Sequence, residues 1–245
     1  MNKTVVIFGP TSAIARATAM SFAKQGHDIY LAGRDEAELQ RLATDLSVRY
    51  NINVKHGIFE AEKIKTHAQF FKEIINQCGD IAGVVVAFGF MTDGAQMREL
   101  NNLQKIIAIN FTGAASILSV CADYFESQKQ GFIIGITSVA GDRGRQSNYV
   151  YGSAKAALTV FLQGLRNRLY PAGIRVITIK PGFVDTAMTF GLPGLFLVAA
   201  PENIGEKIVA ALKKKSDVIY LPWFWQYIML IIKSIPEPIF KRLKL

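Results

Sequence analysis

Short apolar runs alternate with longer amphipathic stretches along most of this chain, which predicts strands alternating with helices. Thr4–Phe8 is a β-branched and apolar run ended by Gly9-Pro10-Thr11-Ser12. The alanine-rich stretch 13–25 follows and closes at Gly26, reading as strand, tight turn, helix and glycine C-cap. Residues 29–32 make a second strand, and Asp35-Glu-Ala-Glu38 opens a second helix with a capping-box-like start. The same reading places a strand at 53–59, a helix at 61–78 stopped by Gly79, a buried strand at 81–88 and one long helix at 101–129. Strands follow at 131–137, 174–180 and Val218–Leu221, with helices at 148–169 and 201–215. Nearly continuous apolar strands separated by helices predict a doubly wound parallel α/β sheet with helices on both faces. No repeat, low-complexity linker or second-domain-sized remainder interrupts it. We expect one domain over residues 1–221 and an apolar, basic tail over 222–245, either part of that domain or an anchor at a membrane interface.

The first strand, turn, helix and second strand form a β-α-β unit within about 32 residues, the size of a nucleotide-binding half. A helix N-terminus presented by a glycine turn at a strand end is a ready site for phosphate. The most informative chemistry lies further on, in Tyr151-Gly-Ser-Ala-Lys155. A tyrosine and a lysine four residues apart on a helix share a face. There the ammonium would favour the tyrosinate and lower a phenol pKa that is ordinarily about 10. A phenol tuned in this way can give a proton to a carbonyl oxygen or take one from an alcohol. Ser138, thirteen residues upstream, could hold the same oxygen. The bland alternative for the pair alone is a solvated helix face.

In their order and spacing these features resemble the short-chain dehydrogenase/reductase family over roughly residues 3–221. Gly9 and its turn are similar to that family's phosphate loop, and Asn110, in Ile-Ala-Ile-Asn-Phe-Thr-Gly, to its helix-interior asparagine. Ser138, Tyr151 and Lys155 resemble its catalytic residues, and Lys180-Pro-Gly-Phe-Val-Asp-Thr186 its nicotinamide-side loop. The resemblance implies a single-domain Rossmann-type fold and hydride transfer between NAD(P) and a carbonyl or alcohol carbon. Tyr151 would be the acid/base, Ser138 would hold the substrate oxygen, and Lys155 would bind the nicotinamide ribose and lower the tyrosine pKa. Asn110 would anchor a water of the proton relay. Cofactor contacts would come from Gly9, Thr11, Ser12, Ala13, Ile14, Arg34, Glu60, Phe88, Gly89, Tyr151, Lys155, Pro181, Gly182, Val184 and Thr186.

Two departures mark the chain as divergent. The family's Gly-x-x-x-Gly-x-Gly loop reads Gly9-Pro-Thr-Ser-Ala13-Ile-Ala15 here, with methyl groups where hydrogen would allow the closest approach to a pyrophosphate. Its Asn-Asn-Ala-Gly after the fourth strand is replaced by Val86-Ala-Phe-Gly89.

Cofactor choice is read at the end of strand two, where a carboxylate would accept from the ribose 2′-OH and repel a 2′-phosphate. Gly33-Arg34-Asp35 offers a guanidinium instead, which favours NADP(H), with NAD(H) as the second choice. The alternative has Arg34 stacking on adenine while Asp35 addresses the ribose. Glu60, just past strand three, meets the adenine amine or is an ordinary loop acid.

Half of the 245 residues are hydrophobic, enough to bury a sheet on both faces. Cys78 and Cys121 sit in apolar contexts and read as buried thiols, and His27, His56 and His67 show no ligand spacing, so no metal is expected. The first strand starts almost at once after Met1, so we expect a cytoplasmic protein without a signal peptide, free or held peripherally at the inner face of the membrane.

The substrate must be inferred from the C-terminal part. Residues 191–200 form an apolar segment where the family carries a mobile lid, which suits a hydrophobic substrate or simply packs on the sheet. The tail, from Trp223 to Leu245, has an apolar stretch of about a dozen residues, too short for a bilayer span of about 20. Aromatic residues lead it and Lys241-Arg-Leu-Lys244 trails it, as in an interfacial anchor. From Gly205 to Leu245 eight Lys/Arg face three Asp/Glu, +5 of the chain's net +9. With no nucleic-acid motif beside it, this charge suits an anionic lipid surface better than nucleic acid. The competing reading is a helix buried in a homo-oligomer seam, as a dimer or tetramer. Val-Ala-Phe-Gly at strand four and the Leu-Pro-Trp…Ile-Pro-Glu-Pro tail together resemble the decaprenylphosphoryl-keto-ribose reductase branch. That resemblance implies reduction of a keto-sugar on a polyprenyl phosphate. Alternatives are a reductase of fatty-acyl or sphingoid ketones, and a non-catalytic, cofactor-binding regulatory protein.

Overall fold

In the computed structural model, which describes residues 3–92, 96–186 and 197–243, seven strands form one parallel sheet. They are β1 (Thr4–Phe8), β2 (Asp28–Gly33), β3 (Val54–Ile58), β4 (Ile81–Val86), β5 (Phe132–Ile136), β6 (Arg175–Pro181) and β7 (Val218–Leu221), in the order β3-β2-β1-β4-β5-β6-β7. The predicted fold class is thus observed. The strand order reverses between β1 and β4, which pair directly, and ligands of such sheets bind outside the strand C-termini at that switch point.

Side chains alternate across each strand, so β1 sends Val5 and Ile7 to one face, Val6 and Phe8 to the other. The first face is covered by α1 (Ala13–Ala23), α2 (Glu36–Tyr50) and α7 (Pro201–Ala211); the second by α3 (His67–Cys78), α5 (Ala114–Gln128) and α6 (Tyr149–Leu169). The small residues of α1 have a packing reason. A Cβ at Gly205 of α7 would come within 2.4 Å of the Ala17 backbone, so the two helices cross at near backbone contact.

The caps follow the sequence signals. Ser12 Oγ accepts from Ala15 N at 3.2 Å at the start of α1, and Asp35 Oδ1 accepts from Glu38 N at 3.0 Å at the start of α2. The predicted long helix is continuous over Leu100–Gln128, made of α4 (Leu100–Ile107), a π-helical segment Ala108–Gly113 and α5. It is long and apolar enough to cross a membrane, yet half of its most apolar window is buried within the fold.

The predicted helix at 61–78 needs correction. After a 3₁₀ turn at Ile64–Thr66, α3 begins only at His67. The His67 ring, fully buried, sits 3.2 Å from the Glu60 carbonyl and 3.0 Å from Ser116 Oγ, and burial lowers its pKa. A Cβ at Gly113 would lie 2.2 Å from the Ala61 carbonyl oxygen. The 60–63 segment therefore packs as a loop on the π-helical turn.

Candidate active site

The C-terminal ends of the strands border two adjoining clefts of about 630 and 870 Å³. They share Thr11, Ser12, Phe88 and Gly89, so they form one groove across the β1/β4 switch. Gly9, Arg34 and Glu60 line the larger cleft; Ala13, Ile14, Tyr151, Lys155, Pro181, Gly182, Val184 and Thr186 line the smaller. Every cofactor position expected from sequence thus borders the groove. Its shape and donors fit a dinucleotide: the α1 N-terminus opens on the middle, and a serine and a threonine flank it. Gly9 is the glycine that matters most, with φ +81° and with any Cβ 2.7 Å from the Phe88 backbone nitrogen. The Ala13 methyl borders the groove, whereas Ala15 is fully buried in α1.

Ser138 follows β5, and its hydroxyl accepts from Ala140 N at 3.1 Å. Tyr151 and Lys155 lie on α6, both buried. Lys155 Nζ is 5.7 Å from the Tyr151 ring centroid and donates to Ile136 O at 3.2 Å. The electrostatics differ from the expected tyrosinate pair. Burial pushes the Tyr151 phenol up to about 12, with hydrogen bonding from Ser138 pulling the other way, and burial alone draws Lys155 down to about 8. In so dry a site desolvation outweighs the attraction between opposite charges. The phenol is held in its protonated form.

Asn110, fully buried on the π-helical turn, gives Nδ2 to Phe90 O at 2.6 Å and Ile106 O at 2.9 Å, while its Oδ1 accepts from Phe90 N at 3.2 Å. Its amide thus clasps the segment after β4 that carries Phe88 and Gly89 along the groove. Arg34 is exposed at the rim. Asp35 spends one oxygen on the α2 cap, leaving the guanidinium as the freer group. Glu60 pairs with Lys63 at 2.6 Å while lining the cleft.

Several participants gave no sequence signal, because distant segments supply them. Asp142, nearly fully buried, bonds Lys180 of β6 through one oxygen and accepts from Tyr220 OH of β7 at 2.7 Å through the other. Burial and the Asp142 carboxylate raise the Tyr220 pKa. This network ties the Ser138 loop to the edge of the sheet. Beyond it, the tail is no detached anchor. Trp225 and Met229 of α8 (Trp225–Ser234) pack on Val139, and a Cβ at Gly182 would lie 1.9 Å from the Trp225 indole nitrogen. Arg143 Nη1 donates to the carbonyls of Ile232, Lys233 and Ile235 at 3.3, 2.9 and 2.7 Å. Its Nη2 meets Glu237 at 2.8 Å, and its guanidinium lies 3.9 Å from the Phe240 ring centroid in α9 (Glu237–Phe240). One stripe of α8 therefore packs behind Val139 and Gly182, which line the smaller cleft, while Trp223, Tyr227, Leu230 and Ile231 stay exposed. Residues 191–196 of the expected lid lie outside the described residues. The chain re-enters beside the cleft, with Ala199 bridging Val184.

Similar proteins share the sequence pattern and the fold. An uncharacterised oxidoreductase of Mycobacterium tuberculosis is 30% identical over 240 residues, covering 98% of this chain and 96% of that protein. One from Streptomyces coelicolor is 29% identical over 246 residues, with the same coverage. Among solved structures, an alcohol dehydrogenase of the archaeon Thermococcus sibiricus complexed with 5-hydroxy-NADP superposes with a TM-score of 0.79 at 22% identity, covering 90% of this chain and 96% of that one. A short-chain dehydrogenase of Sphingobium yanoikuyae in complex with NADPH gives 0.79 at 22% identity, covering 96% and 97%. The sequence model described as short chain dehydrogenase matches residues 3–192. With that match over most of its length, the chain belongs to the short-chain dehydrogenase/reductase family of NAD(P)-dependent oxidoreductases.

Proposed function

We propose that this chain is an NADPH-dependent carbonyl reductase whose substrate is a lipid-linked ketone, with the keto-sugar of a polyprenyl phosphate as the best match. The observation that carries the reductase reading is the buried Ser138–Tyr151–Lys155 cluster on the groove, with Lys155 Nζ 5.7 Å from the Tyr151 ring centroid. A protonated phenol suits reduction, since it can deliver a proton to the oxygen of a carbonyl as that oxygen gains negative charge. A nicotinamide bound beside it supplies the hydride. Ser138 donates a second hydrogen bond to the same oxygen, and Lys155 holds the ribose while its ammonium stabilises the tyrosinate left when Tyr151 has given up its proton. Asn110 keeps the Phe88–Phe90 backbone in place and anchors a water of the proton relay.

Support for NADPH comes from Arg34 at the groove rim, with Asp35 committed to its helix cap, and from the NADP-type ligands of two structural neighbours. NAD(H) is the weaker cofactor; a xylitol dehydrogenase solved with NAD⁺ shares the fold at a TM-score of 0.81 and 17% identity. The lipid reading rests on the exposed stripe Trp223, Tyr227, Leu230 and Ile231, continued by Ile239 and flanked by Lys233, Lys241 and Arg242. At 10 residues, α8 is about 15 Å long, half of the roughly 30 Å hydrocarbon core. It would lie along a membrane surface and not across it. Each basic residue near an anionic surface contributes about 1 kcal/mol.

The test is NADPH consumption with lipid-extract ketones, with and without anionic vesicles, in the wild-type chain and in Tyr151→Phe. We expect Tyr151→Phe to keep cofactor binding and lose about 10²–10⁴ in turnover. Near-wild-type turnover would refute the acid assignment, and cofactor binding without turnover on any carbonyl would favour a regulatory role. Failure to float with anionic vesicles, together with a stable dimer, would turn the exposed stripe into an oligomer seam.

A further inference from the structure

Beyond the groups already used, the smaller cleft carries three cationic side chains, Arg16, Arg145 and Lys155, and one carboxylate, Glu202. Arg16 pairs with Glu38, and Lys155 donates to Ile136 O. Arg145 makes no side-chain hydrogen bond or ion pair among the described residues, and its Nε is enclosed without a partner. The Asp142 carboxylate, whose field reaches it, has its oxygens on Lys180 and Tyr220. Burial holds the Arg145 pKa below its usual range, yet a guanidinium stays charged. A half-buried cation whose nearest carboxylate is bonded elsewhere is costly unless something anionic meets it.

Asn148, three residues on, repeats the pattern. It occupies the N-cap position of α6, where an asparagine side chain ordinarily bonds the first-turn N–H groups and contributes about 1 kcal/mol. Here it makes no cap bond, and its Oδ1 is enclosed without a partner. Arg145 and Asn148 belong to one turn, closed by Asn148 N donating to Arg145 O at 3.2 Å, and both line the cleft with Ser138 and Tyr151. The positive end of the α6 dipole adds to the field there.

We propose that Arg145 and Asn148 form an anion-binding subsite at the substrate end of the cleft, so that the ketone reduced beside Tyr151 carries a phosphate or carboxylate. This rests on the reductase reading above. The guanidinium fork matches either anion in two-point fashion. The Asn148 amide can donate to the anion while its oxygen accepts from a neighbouring substrate hydroxyl. The cofactor's own phosphates belong at the α1 turn, a different element from the one that carries Arg145 and Asn148.

The experiment compares 4-acetylbenzoate, 4-acetylphenyl phosphate and uncharged 4-methylacetophenone as NADPH-dependent substrates of the full chain, Arg145→Met and Arg145→Lys. The wild type should favour at least one charged ketone by about tenfold or more in kcat/KM, a margin of about 1.4 kcal/mol. Arg145→Met should abolish that preference and Arg145→Lys should recover part of it. Comparing the two charged ketones separates phosphate from carboxylate. Calorimetric titration of the same compounds into NADPH-loaded protein supplies a readout without turnover. Binding to wild type that disappears in Arg145→Met supports the subsite even if no NADPH is consumed, an outcome that would sink only the reductase reading. An unchanged charge preference, equal binding to both proteins, or NADPH affinity falling in step with ketone affinity would overturn the subsite.

Discussion

Lys155→Met should make the cofactor-free protein more stable at neutral pH, although it removes a group at the centre of the site. Burial draws the Lys155 pKa from 10.5 to about 8, so the native state disfavours the ammonium. The native state binds fewer protons than the unfolded chain between those two values, so stability rises with pH across that window. Each pKa unit corresponds to about 1.4 kcal/mol, which puts the cost of the buried charge near 3 kcal/mol at pH 7 and under about 1 kcal/mol at pH 10. Against this stands the hydrogen bond to Ile136 O, worth about 1 kcal/mol. The net expectation is a gain of about 2 kcal/mol for the variant at pH 7, shrinking to about zero at pH 10. Tyr151 acts in the opposite sense at higher pH: with a native pKa raised to about 12, it contributes stability that fades from about pH 10 upward. Urea denaturation of wild type and variant at pH 7, 8.5 and 10 measures the difference directly. A variant that is less stable at pH 7, or a gap that does not change with pH, would refute the argument that desolvation dominates this site.

Arg34→Ala should weaken NADPH binding at least about tenfold more than NADH binding, because only the 2′-phosphate gives a guanidinium its charged partner. Equal losses for the two cofactors, measured by fluorescence titration, would place Arg34 on adenine instead. Arg143→Ala removes the bonds to three α8 carbonyls and to Glu237, which should destabilise tail docking by about 2–3 kcal/mol. Hydrogen exchange should then speed up in α8 and α9 before the sheet opens. Unchanged exchange there would show that Trp225 and Met229 hold the tail unaided.

The period of the hydrophobic pattern determined most of the fold. Buried parallel strands must be apolar on both faces, so runs such as Thr4–Phe8 and Ile81–Val86 announce themselves, and the caps at Ser12 and Asp35 act through neighbours three residues away. Local chemistry also exposed the Tyr151/Lys155 pair and the glycine turn, since each depends on spacing within one element. Where a segment's state depended on a distant partner, sequence was silent. The 60–63 loop stays out of helix because the Ala61 carbonyl meets Gly113 and the His67 ring bonds Glu60. The tail read equally as anchor or seam, until tertiary packing gave one stripe of α8 to Val139 and Gly182 and left the other exposed. The protonation of the site was likewise a tertiary decision. Spacing alone predicted a tyrosinate drawn down by an ammonium, whereas the depth at which α6 is buried makes desolvation the larger force on both groups.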